Sequence, residues 1–237
     1  FIILCEDKDT ISSPNIRGKR VLTGQHSVLY ANISLCLAFI RQLFRNFTHV
    51  NHNYTVHMIT GEIKNRIDSI WDTFWTGGIT HSITILEQMT YLFFMKMLDD
   101  AQRTKEANAN AWGVEVKDPT FRQGTWHNPE TDRDVPYDSL RWSVFRNMEA
   151  EAMYRTISKD VFIFIKTLGE GRESAYSRFM ANATFLIQSP RTLTKIVEGI
   201  NALDMNNRDT MGDVYEYVLG KMAASGNNGQ FRTPRHI

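Results

Sequence analysis

LEQMTYLFFMKMLDD, residues 86–100, is the stretch whose reading decides the fold. Leu86, Met89, Tyr91, Leu92, Phe93, Phe94, Met95 and Leu98 do not fall on a single stripe at helical spacing; they cover nearly the whole circumference. A helix that is apolar all round belongs at the buried centre of a bundle. Its methionines and aromatic rings then read as core filling rather than a cofactor box. The helix is expected to begin around Thr80–Ser82 and to end near Asp100.

Upstream, Thr60 is placed to cap a helix on which Ile63, Ile67, Ile70, Trp71 and Phe74 recur on one face. Gly77-Gly78 is positioned to stop it, since glycine accepts the backbone angles of a helix end. Downstream, residues 101–140 lose the period. Pro119, Gly124, Pro129 and Pro136, with the polar run from His127 to Asp134, mark a long loop. His127 and the carboxylates around it can be drawn as a metal or acid–base site, but no ligand spacing demands one, and none is assigned.

Trp142 to Leu168 reads as one long helix or two joined near Ser158. Five consecutive apolar β-formers, Val161–Ile165, leave a strand open as the alternative. A helix over Arg172–Ile187 follows, carrying Tyr176, Phe179 and Met180. Ser189-Pro190 is a helix start, a capping serine and then proline in the first turn. Leu193, Ile196, Val197, Ile200 and Leu203 continue it at helical spacing. A last helix is expected from about Thr210 to Ala224, with Gly226 placed to end it. Strands do not alternate with helices anywhere and no repeat is visible. The expected class is all-α: a helical bundle with a long central loop.

The chain has 237 residues, 42% hydrophobic and 22% charged, enough to bury a core without disulfide or metal staples. Its formal net charge of +1 gives no whole-chain signature of nucleic-acid binding, so any basic surface must be local. Cys5 and Cys36 form no metal or redox motif, which fits a reducing, cytoplasmic setting. His49, His52 and His57 match no zinc spacing. Val28–Ile40 is the strongest apolar run outside the bundle. It is too short to span a bilayer and is interrupted by Asn32 and Ser34, so no membrane role is expected.

Residues 1–57 differ from the rest. They hold both cysteines and six of the 27 Lys/Arg, while all ten methionines start at Met58. The expected organisation is an upstream, non-native extension at 1–57, a helical domain at 58–226, and the start of a further domain at 227–237.

Three stretches carry a resemblance: MITGEIKNRIDSIWDTFWTGGIT (58–80) with LEQMTYLFFMKMLDD (86–100), then Leu140-Arg141-Trp142, and last GDVYEYVLGKMAASGNNGQFRTPRHI (212–237). In this order they resemble the N-terminal region of the methylation subunit of type I restriction–modification systems. Such a subunit is an adenine-specific DNA methyltransferase using S-adenosylmethionine. The resemblance covers residues 58–237 and implies a helical domain cut off before a Rossmann-like methyltransferase domain.

By the same resemblance, GQFRTPR lies at the junction of the two domains. Phe231 would pack near the methyl donor, and Thr233 and Pro234 would shape the pocket wall. The chemistry agrees, since an aromatic face suits a sulfonium or adenine and proline fixes the entering strand. The chain departs from the family in lacking both the glycine loop after a first strand and an Asn/Asp-Pro-Pro-aromatic motif. Asn128-Pro129 continues with Glu130 and cannot serve. No catalytic residue is therefore assigned, and the chain alone is expected to be inactive.

The implied partners are double-stranded DNA and the specificity and restriction subunits of the same system. The helical domain would clamp DNA and assemble with the specificity subunit. Lys and Arg at 172, 178, 191, 195, 208, 221, 232 and 235 are candidates for phosphate contacts. Arg191, Lys195, Arg232 and Arg235 are singled out among them. The alternative is a free-standing helical domain that binds protein or DNA with no enzymatic role.

Overall fold

The computed structural model describes residues 61–168, 175–203 and 208–224. Helix α1 spans Gly61–Thr76 and α2 spans Ser82–Trp112; a hairpin follows, β1 (Thr125–Asn128) and β2 (Arg133–Pro136). A 3-10 turn over Tyr137–Leu140 leads into α3 (Trp142–Phe145). Next come α4 (Ala150–Arg155), a π turn (Thr156–Val161) and α5 (Phe162–Thr167) in one continuous run. The remaining helices are α6 (Ala175–Ala181), α7 (Pro190–Asn201) and α8 (Arg208–Ala224). The class is all-α apart from the antiparallel hairpin.

Helix α2 is the centre. Ile85, Leu86, Met89, Leu92, Phe93 and Met95 are all but inaccessible, and Tyr91 and Phe94 are buried beside them. Tyr91 meets Phe162 edge-on at 5.3 Å, and Phe93 meets Tyr215 of α8 at 5.6 Å. Such ring pairs add about 1 kcal/mol each beyond the area they bury. Helix α1 buries Ile67, Ile70, Trp71 and Phe74, and α7 buries Leu193, Ile196, Val197 and Ile200, each the single face its spacing predicts.

Glycines decide two details. Gly78 sits at φ +93°, where the Ile79 N–H reaches back to Phe74 O at 3.0 Å and closes α1. At Gly199, inside α7, a Cβ would lie 2.7 Å from Ile70 Cγ1, so the glycine is what lets α1 and α7 approach this closely. Ser189 caps α7 as expected, its hydroxyl accepting the Thr192 N–H at 3.3 Å. The caps expected at Thr60 and Gly226 lie outside the described residues.

Three expectations need correction. Helix α2 does not stop near Asp100 but runs to Trp112, closed by Gly113 in the left-handed region at φ 63°. Past Asp100 its apolar stripe thins, so the period is lost while the helix-forming residues continue. The long loop is shorter than expected and built around the hairpin. Asn128, fully buried, organises it: Oδ1 accepts the Glu130 and Thr131 N–H groups, and Nδ2 donates to Lys159 O and Asp160 Oδ1. Asn128-Pro129 thus has a structural role in turning the chain.

The third correction concerns the helix expected over Arg172–Ile187. Among the described residues it covers Ala175–Ala181, Asn182 turns the chain, and residues 183–189 form neither helix nor strand. Gln88 of α2 clamps that segment, donating to Thr184 O and accepting the Leu186 N–H, both at 2.9 Å. From Trp142 to Leu168 the chain is helical with a break at residues 146–149, and the Val161–Ile165 run is helix rather than strand. Ser158, where a joint was expected, lies inside the π turn.

Candidate functional site

Leu140, Arg141 and Trp142 meet the end of the 86–100 stretch in space. Arg141 donates from Nε to Asp99 Oδ1 at 2.7 Å and forks onto Glu106 at 3.0 and 2.9 Å. Asp99 is almost wholly buried, and its second oxygen accepts the Ser143 N–H at 2.7 Å, satisfying a donor at the start of α3. The Arg141 hydrogen bonds hold the Glu106 carboxyl below its ordinary range, against the opposing effect of burial and with help from Gln102. Leu140 and Trp142 are buried on either side.

This junction forms one wall of an open cleft of about 580 Å³. Helix α2 lines it with Lys96, Asp100, Arg103 and Thr104, α3 with Ser143, the position just after α3 with Arg146, and the end of α7 with Asn201. Lys96 and Asp100 are paired at 2.5 Å. Arg146 donates to Asn201 Oδ1 at 2.5 Å, and Trp142 Nε1 donates to the same oxygen at 3.3 Å. The Arg146 Nε is buried with no hydrogen-bond partner. Neither Arg103 nor Arg146 forms an ion pair among the described residues.

A second polar junction ties α8 to α1. Asp68 accepts from Tyr217 Oη at 2.7 Å and from Lys221 Nζ at 2.5 Å. Burial works to raise the Asp68 carboxyl, but hydrogen bonds from Lys221 and Tyr217 outweigh it and hold it below the ordinary value. Burial, then the bond to Asp68, push the Tyr217 phenol up to about 12. Lys221, one of the candidate phosphate contacts, is therefore engaged within the bundle.

Of the singled-out residues, Arg191 and Lys195 lie four apart on the exposed face of α7, and neither has an ion-pair partner among the described residues. Arg178 is exposed beside Glu87 in a small pocket of about 170 Å³. Phe231, Arg232, Thr233, Pro234 and Arg235 lie outside the described residues, as does Arg172. Arg103 and Arg146 were missed by sequence reasoning. The available signal was their position, each four residues after Asp99 or Trp142 in the two stretches that meet.

His127 stands between Asp132 and Asp134 at 3.3 and 3.1 Å on the exposed hairpin. Among the described residues no group of three or more His, Cys, Asp or Glu is arranged to hold a metal. None of the described helices is long and apolar enough to cross a membrane.

Residues 63–200 match the family model described as HsdM N-terminal domain, and residues 206–237 match that of the N-6 DNA Methylase. The type I restriction enzyme EcoEI methylase subunit of Escherichia coli is 23% identical over 172 residues, covering 68% of this chain and 31% of the relative. The chain thus spans about a third of that relative's length. No solved structure matches it. The match over 63–200 takes in every element from α1 to the end of α7, including the Asp99–Arg141 junction. The chain belongs to the HsdM N-terminal domain family and is the N-terminal part of a type I restriction–modification methylase subunit.

Proposed function

We propose that this chain is the DNA-clamping and assembly portion of an adenine-specific DNA methyltransferase subunit, working in the cytoplasm with a specificity and a restriction subunit. The observation that carries the clamping role is the outer face of α7. Leu193, Ile196, Val197 and Ile200 fix the helix in the core, so Arg191 and Lys195 are presented on a rigid support with no partner among the described residues. Paired cations held in this way suit successive phosphates of a duplex, a contact that positions the protein without reading sequence.

S-adenosylmethionine belongs to the whole subunit and would supply the methyl group there. The segment assigned to it, Phe231, Thr233 and Pro234, follows α8, which Asp68 anchors to the bundle. No Asn/Asp-Pro-Pro-aromatic motif occurs in residues 1–237, and we read methyl transfer as the work of the whole subunit. The domain division proposed is 1–57 upstream, 58–226 helical and 227–237 leading into the catalytic domain.

The test is charge reversal, Arg191→Glu with Lys195→Glu, in the assembled methylase. Duplex affinity is expected to drop, and the slope of log affinity against log salt to flatten by about 0.9 per lost phosphate contact. Unchanged affinity and slope would remove α7 from the DNA interface.

A further inference from the structure

We propose that the cleft between α2, α3 and the end of α7 receives a phosphate group of a DNA backbone, gripped by Arg103 and Arg146. The proposal rests on the DNA-binding reading above and assigns it a second, separate site. It starts from charge. Lys96 and Asp100 neutralise each other at 2.5 Å, which leaves the two guanidinium groups of Arg103 and Arg146 as the uncompensated charge on the cleft wall.

Arg146 is the stronger indicator. It is partly buried, its Nε is shielded from solvent without a partner, and its only described acceptor is the neutral Asn201 amide oxygen. The bond to Asn201 lies at the exposed mouth of the cleft, so the guanidinium keeps an open side, while its shielded Nε–H is a donor without an acceptor. Asn201 Oδ1 also takes the Trp142 indole N–H, and Trp142 is buried, so Arg146 is held by a fixed neighbour. Arg103 stands exposed on α2 and lines the same cleft, to which Ser143 also contributes.

The end of α7 would oppose an anion through its free carbonyl oxygens, but three of the carbonyls there are engaged. Glu198 O accepts the Ala202 N–H, Ile200 O accepts the Leu203 N–H, and Ala202 O accepts from Arg66 Nη1 at 3.3 Å. A fork of guanidinium donors matches phosphate oxygens. The Trp142 ring is covered, so the cleft offers no exposed aromatic face on which a base could stack. Backbone phosphate is the component of DNA it fits.

The experiment titrates the 237-residue chain with a short duplex DNA and, separately, with inorganic phosphate and poly-glutamate, following the arginine Nε–H NMR signals of Arg103 and Arg146. The duplex is expected to move both signals. Arg103→Gln and Arg146→Gln should each weaken duplex binding about tenfold and lower the salt slope by about 0.9. Arg146→Lys, keeping charge without the fork, should fall between. Arg103 is exposed, so its substitution keeps the test decisive even if Arg146→Gln fails to fold.

If Arg103→Gln binds the duplex with unchanged affinity and slope while the Arg191 and Lys195 reversals weaken it, the cleft proposal fails and the DNA reading stands. No duplex binding by the unsubstituted chain overturns the cleft proposal, while the Arg191 and Lys195 reversals in the assembled methylase decide the DNA reading. Signals moved by inorganic phosphate or poly-glutamate but not by the duplex assign the cleft to a free anion or an acidic protein, and overturn the proposal.

Discussion

Asp99 joins two distant parts of the chain through both its oxygens, one on the Arg141 guanidinium and one on the Ser143 N–H, each at 2.7 Å. Asp99→Ala removes both bonds and leaves Arg141 with Glu106 alone. Breaking a buried pair from one side costs about 3–5 kcal/mol, and the remaining Glu106 fork places this case near 3. Urea denaturation measures it, and a loss below about 1 kcal/mol would show that the junction does not hold α3 to α2. Arg141→Lys should lose a smaller amount, since one ammonium cannot reproduce the fork onto Glu106 while also serving Asp99.

That junction also shows where sequence reasoning reached its limit. The all-round apolar pattern from Leu86 to Leu98 placed α2 at the centre, and the single-face patterns of Ile67–Phe74 and Leu193–Ile200 placed α1 and α7, because apolar periodicity is a local signal. The extension of α2 to Trp112 was invisible to that signal, since Gln102 and Glu106 face inward through polar bonds to Thr120 and Arg141. Residues 183–187 alternate buried and exposed at period two, yet were read as helix on the strength of Tyr176, Phe179 and Met180. Arg103 and Arg146 escaped notice because a cleft is made by three helices meeting, and no single segment records it. The cofactor segment came only from resemblance.

Gly199 makes a prediction opposite to ordinary helix propensity. Glycine inside a helix costs about 1 kcal/mol against alanine, so Gly199→Ala would stabilise a free α7. Here the added Cβ lies 2.7 Å from Ile70 Cγ1 in the core, and overpacking of this kind costs about 1–3 kcal/mol. The expected result is a lower melting temperature. Adding Ile70→Ala should make the pair strongly non-additive, because the second change removes the atom the first one strikes. Additive losses would mean that α1 and α7 are not in contact at this point.

Acid should unfold the protein partly through Glu106 and Asp68. Both folded-state values lie below the ordinary carboxylate range, Glu106 because Arg141 bonds it, Asp68 because Lys221 and Tyr217 overcome burial. The native state then binds fewer protons than the unfolded chain. Their stabilisation is fully present above about pH 4.5 and is lost as pH falls through the depressed values. The melting temperature of Glu106→Gln/Asp68→Asn should fall less steeply between pH 5 and pH 2 than that of the parent. Glu87 has the other sign: burial raises it, so its carboxylate is unfavourable at neutral pH. Glu87→Gln should raise the melting temperature at pH 7 and leave the acid limb unchanged.

Asp68 carries the last prediction, because it decides how firmly α8 is held. The helix lies within residues 206–237, the part that matches the methylase model, yet Val214, Tyr215 and Val218 are buried against α1 and α2. Two kinds of attachment hold it, that apolar face and the Asp68 bonds to Tyr217 and Lys221. Lys221 also lies 5.5 Å from the centre of the Trp71 ring, and Lys64 lies 5.8 Å from that of Tyr217. Asp68→Asn removes the charge that collects Lys221 while leaving the apolar contacts alone. A half-exposed pair of this kind is worth about 1 kcal/mol, which corresponds to about fivefold faster amide exchange if α8 opens as a unit. Hydrogen exchange across residues 214–221 should speed up by that factor, with α2 unchanged. Unaltered protection in α8 would mean that the apolar face holds it alone, and that Asp68 has no part in positioning the chain that follows.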